Sequence, residues 1–166
     1  MAITDDAGEP DPRKQAAQKR KTVVLVPLDF SISPQQAVEF GIKIARDSDG
    51  LLLLAHVVDL TLTPYGPAVR ARMNAELCKD AMKKAEPLLI AAREAGVKAI
   101  CTVEEGGTAS VVAKVAKRWA ATVIVLGVPR RGILSRLFGR PIEQKLMDIV
   151  QCPVIVLQED NRKRTP

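Results

Sequence analysis

The sequence predicts an α/β protein, an open sheet of five parallel strands with helices on both faces. Three observations lead there. Hydrophobic residues make up 47% of the 166-residue chain and aromatics only 3%, so a core has to be assembled from Val, Ile, Leu and Ala, the usual filling of parallel strands buried on both sides. Short continuous apolar runs alternate with segments whose apolar residues recur every three to four positions. Strand-helix alternation of that kind implies right-handed crossovers and a parallel sheet, and the length suits one domain with a sizeable core.

Residues 1 to about 20 are polar, lack apolar periodicity and include two prolines and one glycine, the pattern of a disordered tail. The folded domain is expected over 21–160, with a second short tail at 161–166. Val23 to Val26 is the first apolar run, in a strand ending at Pro27, Leu28 and Asp29. Ser33 then supplies an N-cap and Pro34 the first helical position, with Ala37, Phe40, Gly41 and Ile44 along one face. Leu51 to Val58 is a second buried strand. After a loop containing Pro64, Gly66 and Pro67, residues Val69, Met73, Leu77, Ala81, Leu88 and Ala92 mark a long helix that ends near Gly96. Lys98 to Val103 is the third strand. Gly106, Gly107 and Thr108 make a turn with an N-cap, and Val111, Val112, Val115 and Trp119 form the stripe of the next helix. Thr122 to Leu126 is the fourth strand. A basic loop follows, then a helix over Pro141 to Val150 with Ile142, Leu146 and Ile149 inward, and Val154 to Leu157 closes the chain as a fifth strand.

Several function classes are disfavoured. Cys78, Cys101 and Cys152 stand far apart and His56 is the only histidine, so neither a zinc site nor a disulfide framework is supported, and a reduced, cytoplasmic protein is expected. Lys19 to Lys21 before the first apolar run imitates a signal peptide, but that run is short, contains Pro27 and ends on a carboxylate. No segment approaches the roughly 20 apolar residues of a membrane span. The net charge is +6, and outside the tails its excess sits in Arg130, Arg131, Arg136, Arg140 and Lys145, opposed by Glu143. A nucleic-acid reader spreads a basic face over its elements with stacking aromatics nearby. Neither is visible, so an anionic small ligand fits better.

In open α/β sheets the ligand crevice lies beyond the carboxyl ends of the strands, at the switch point in strand order. The first strand delivers Asp29 to that rim and the fourth delivers Leu126 and Gly127. A carboxylate at a strand end accepts from sugar hydroxyls or a base amino group; it serves equally as an Asx-turn or cap before the first helix. His56 lies in an apolar strand with no serine or cysteine motif to pair with, so a backbone partner is its expected role. Trp119 reads as core, and the cysteines as buried apolar residues.

Six stretches carry a resemblance: VPLDFS (26–31), LAHVVD (54–59), EGGTA (105–109), ATVIVLG (121–127), GILSRLFG (132–139) and CPVIV (152–156). In order and spacing, over about residues 21 to 158, they resemble the universal stress protein family. The resemblance implies a Rossmann-like fold of the adenine nucleotide α-hydrolase type, a role in stress response through protein partners, and no catalysis. It also implies a homodimer paired through the last strand, at Val154, Ile155, Val156 and Leu157. A subset of the family binds ATP, with Mg, through Gly-x-x-Gly followed at a fixed spacing by Gly-Ser or Gly-Thr. On that pattern Pro27, Asp29, Val57, Leu126 and Gly127 match the nucleoside half.

The phosphate half departs. Arg130 stands where the pattern has its second glycine, the Gly127 to Gly139 segment is one residue short, and Gly139 is followed by Arg140 and Pro141 in place of a hydroxyl residue. Glycine there lets backbone amides approach phosphate oxygens, and proline removes an N–H from the helix start. ATP binding is therefore expected to be weakened or absent. The alternative is an ATP or AMP switch in which the four arginines fork onto the phosphates, with slow hydrolysis or autophosphorylation on Ser135. A nucleotidyl-transfer enzyme of related fold would want Ser-Gly-Gly-x-Asp-Ser after the first strand, where this chain has Asp29 to Pro34 (DFSISP).

Overall fold

The computed structural model describes residues 21–30, 35–129 and 141–159. The two expected tails, the Ser33 and Pro34 helix start and the loop residues Arg130 to Arg140 lie outside them. Among the described residues strands and helices alternate: β1 (Val23–Leu28), α1 (Gln35–Asp47), β2 (Leu51–Val58), α2 (Pro67–Glu94), β3 (Lys98–Glu105), α3 (Thr108–Arg118), β4 (Val123–Pro129), α4 (Ile142–Ile149) and β5 (Val154–Glu159). The strands form one five-stranded parallel sheet in the order β3-β2-β1-β4-β5, the predicted α/β architecture.

Side chains alternate across each strand, and here both sides are buried. Val24, Val26, Leu52, Leu54 and Val125 enter one layer with Ala37, Val38 and Ala45 of α1 and Ala85, Leu89 and Ala92 of α2. Val23, Leu25, Leu53, Ala55, Ile124 and Leu126 enter the other with Val111, Val112 and Val115 of α3 and Leu146 of α4. Two-sided burial is why these strands read as unbroken apolar runs.

The helix faces differ from expectation in places. A Cβ on Gly41 would lie 2.7 Å from Val26 Cγ2 and 3.0 Å from Leu52 Cδ1, so α1 approaches the sheet closely. That approach admits Ala37, Val38 and Ala45 and leaves Phe40 exposed on the flank. The buried face of α2 is Ala81, Ala85, Leu89 and Ala92, so Val69 and Leu77 sit on an exposed first half. Trp119 follows α3 as its exposed C-cap. On α4 Ile149 is exposed and only Leu146 is fully buried. Gly107, not Thr108, is the N-cap of α3, with no side-chain cap bond. β3 and β4 run past their apolar stretches because backbone pairing continues, to Val58↔Glu105 and Pro129↔Glu159.

The sheet order puts β1 beside β4, the switch point. β1 pairs with β2 as far as Leu28↔His56, but with β4 only at Val24↔Val123 and Leu25↔Ile124. Backbone alternation gives the reason. The Thr22 carbonyl accepts from Leu51 on the β2 side and the Val23 carbonyl from Thr122 on the β4 side, so odd-numbered residues of β1 direct their backbone groups at β4. Pro27 is one of these and has no N–H. The next rung toward β4 lacks its donor, and the strands part there.

Candidate functional site

The parted strands open a cleft of about 220 Å³ at the carboxyl rim. Among the described residues it is lined by Pro27, Leu28 and Asp29 after β1, Ala55, His56 and Val57 of β2, Thr108 and Val112 of α3, Leu126, Gly127 and Val128 of β4, and Ile142 of α4. Pro27, Asp29, Val57, Leu126 and Gly127, scattered over a hundred positions of sequence, thus share one cavity. Arg130, Gly139 and Arg140 lie outside the described residues. Val154 to Leu157 stand away from the cleft on the edge strand β5, half-buried, with Val154 and Val156 packed toward α3 and α4 and Ile155 and Leu157 toward α1 and α2.

Thr108, Val112 and Ile142 were not predicted as walls of the site. Thr108 is placed by the turn before it. Gly106 has φ +139°, a Cβ on it would meet Val111 Cγ2 at 2.9 Å, and its N–H donates to the Val58 carbonyl at 3.1 Å. Only glycine adopts that backbone cheaply, and the bond fastens the start of α3 to the end of β2. Paired glycines directly after a strand were the available signal.

His56 Nδ1 lies 2.9 Å from the Leu28 carbonyl. A carbonyl only accepts, so Nδ1 carries the proton, and His56 has the backbone partner expected of it. The Phe30 ring packs against the imidazole at 4.8 Å between centroids, tilted by 43°. Lys84 Nζ stands 5.8 Å over Phe30 and 2.8 Å from Asp80 Oδ2. These groups border a second cavity of about 400 Å³. It lies on the α1 and α2 side of the sheet, since His56 continues the Leu52 and Leu54 face, and it shares Asp29, His56 and Val57 with the first cleft.

Both remaining carboxylates of the second cavity are held ionised. The Thr61 hydroxyl and amide donate to Asp59 and keep its carboxyl below the ordinary range, and the bond from Lys84 does the same for Asp80. Away from the rim, burial pushes the Cys101 thiol up to about 11 and raises that of Cys152, which leaves both poor nucleophiles. Among the described residues no three His, Cys, Asp or Glu side chains gather where they would hold a metal ion, and no helix is long and apolar enough to cross a membrane.

Known proteins share this plan. The model of the universal stress protein family matches residues 21–158. A universal stress protein of Methanocaldococcus jannaschii is 26% identical over 145 residues, which is 84% of each chain. A universal stress protein of Archaeoglobus fulgidus, solved in complex with dAMP, superposes with a TM-score of 0.61 at 17% identity, over 81% of this chain and 96% of that one. Another universal stress protein, solved in complex with cAMP, gives a TM-score of 0.58 at 20% identity, over 84% of this chain and 98% of that one. With the family pattern spanning the whole sheet, and a fold that places its rim residues in one cleft, this chain belongs to the universal stress protein family.

Proposed function

We propose that the chain is a non-enzymatic nucleotide-binding module of the cytoplasmic stress response, dimeric and acting through protein partners, which holds the nucleoside half of its ligand and grips a polyphosphate only weakly. One observation carries this reading: a single switch-point cleft gathers Pro27, Asp29, Val57, Leu126 and Gly127. Aliphatic walls with one carboxylate suit a sugar and base, the carboxylate accepting from hydroxyls. The fold-related proteins solved with cAMP and dAMP hold ligands with one phosphate each.

The weak polyphosphate grip has its own support. α4 begins after Pro141 as N-cap and carries Glu143 in its first turn. Proline offers no amide to an anion, and an acid at a helix start already occupies the positive end of the dipole. The sequence adds Arg130 and Arg140 at places where the ATP pattern has glycine and a hydroxyl.

Calorimetry with AMP and ATP tests this. AMP binds, ATP binds no more tightly than AMP, and both are recovered intact. Asp29→Asn lowers AMP affinity about tenfold or more, in line with the roughly 1.5–3 kcal/mol of a charged hydrogen bond. ATP binding ten times tighter than AMP, or turnover of either, overturns the reading.

A further inference from the structure

We infer that the acidic segment 1–12 of this chain docks in a groove between α3 and α4, at the rim of the sheet opposite the strand-end cleft. The groove measures about 610 Å³, within the roughly 300–1,000 Å³ typical of occupied sites. It shares no lining residue with the cleft or with the second cavity. Ala113 and Ala116 of α3, with Ala120 beyond its end, form it together with Ile149 and Val150 at the end of α4. Alanines three and four positions apart lie along one side of a helix, where larger side chains would fill the channel. Ile149 stays exposed, so the groove has an apolar floor open to an occupant.

The occupant follows from where the chain enters the fold and from charge. β1 begins at this rim: the Val23 amide donates to the Thr122 hydroxyl at 3.1 Å, and that hydroxyl donates to the Val23 carbonyl at 3.0 Å. Thr122 adjoins Ala121, another wall of the groove. Whatever precedes Lys21 therefore starts beside the groove, whereas residues 160–166 follow β5 at the other rim. From Asp11 to Lys21 the chain reaches up to about 33 Å, ample against the roughly 16 Å length of α3. Among the described residues the charged side chains of the groove are Lys114 and Lys117, with no acid. Residues 1–12 carry Asp5, Asp6, Glu9 and Asp11 and no Lys or Arg, while residues 13–21 carry five bases and no acid. Only the first block complements the lysines; the second is repelled by them and serves as the connection. Ile3 adds an aliphatic side chain for the floor. Tethering sets an effective concentration in the millimolar range, so an intrinsic dissociation constant of about 1 mM already fills the groove about half the time.

Amide NMR of the isotope-labelled full chain, compared with its variant Asp5→Asn/Asp6→Asn/Glu9→Gln/Asp11→Asn, tests the docking. The amides of Ala113 to Ala121 and of Ile149 to Cys152 are expected to differ between the two proteins, with Leu126 and Gly127 unmoved. That difference disappears in about 1 M salt, where the Debye length falls to roughly 3 Å. A synthetic peptide of residues 1–12 binds the neutralised variant about threefold or more tightly than the parent, whose own segment competes for the groove. Lys114 and Lys117 are exposed, so replacing them spares the core. Adding Lys114→Gln/Lys117→Gln to the variant weakens the peptide about fivefold, the product of two exposed ion pairs. Amide differences confined to residues 1–21, equal peptide binding by parent and variant, or peptide affinity indifferent to the two lysines each overturns the inference. Groove amides that differ only as protein concentration rises identify a second copy as the occupant and overturn it equally.

Discussion

Asp49, Gly96 and Ala120 share a backbone conformation and a task. They have φ of 49°, 78° and 49°, and each follows the C-cap of a helix. The amides of Gly50, Val97 and Ala121 reach back to the carbonyls of Ala45, Ala92 and Ala116, while those of Asp49, Gly96 and Ala120 bond the Arg46, Arg93 and Lys117 carbonyls within the same turns. This is the Schellman closure, in which the left-handed position favours glycine. Alanine there carries a Cβ strain of about 1–2 kcal/mol, offset in part by the chain entropy that glycine would lose. Ala120→Gly is therefore expected to stabilise the protein by about 0.5–1 kcal/mol, read as a higher urea midpoint with unchanged slope. At this scale the sequence was informative where chemistry is local: Gly96 announced its helix end, and Asp29 and Gly127 announced the rim. Phe30 and Thr108 were silent, because their meaning comes from His56 and from the turn at Gly106, which only the folded chain brings beside them.

Among the described residues apolar period located every helix and strand, yet it misjudged faces wherever an element is amphipathic by a narrow margin. Phe40 and Ala37 lie on adjacent flanks of α1, and the choice between them is made by the sheet surface, not by the helix. Gly41 makes that choice. With 2.7 Å from its missing Cβ to Val26 Cγ2, any branched side chain would force α1 off β1 and β2. Gly41→Val is expected to destabilise the fold by about 1–3 kcal/mol, the usual range for overpacking a filled core, despite valine being the better helix former. Urea unfolding measures it, and a neutral outcome would mean that α1 slides outward without loss. Trp119 and Ile149 illustrate the same limit at helix ends, where one further residue of helix turns a side chain from core to solvent.

At the scale of the whole molecule the proposed dimer makes a definite demand on β5. The Pro153 carbonyl accepts from Ile124 of β4, so by alternation Ile155 and Leu157 turn their backbone groups to β4 while Val154 and Val156 turn theirs to the open edge. Val156→Pro then removes an edge donor and spares the β4 ladder. Light scattering is expected to show a dimer for the parent and a monomer for this variant, with similar circular dichroism; a variant that stays dimeric places the interface elsewhere. Strand order, the fact that joins Pro27 to Leu126 in one cleft, was not legible in the sequence, since no local pattern states which strands become neighbours. The seam at Pro27 has a last consequence. Because the ladder between β1 and β4 stops after Leu25↔Ile124, the crevice exists without any ligand and nothing has to be pried apart to fill it. The two halves of the sheet are stitched by two register pairs, and a molecule lying across the gap is a third stitch, so occupancy is expected to slow amide hydrogen exchange in β1 and β4 together, far beyond the atoms it touches.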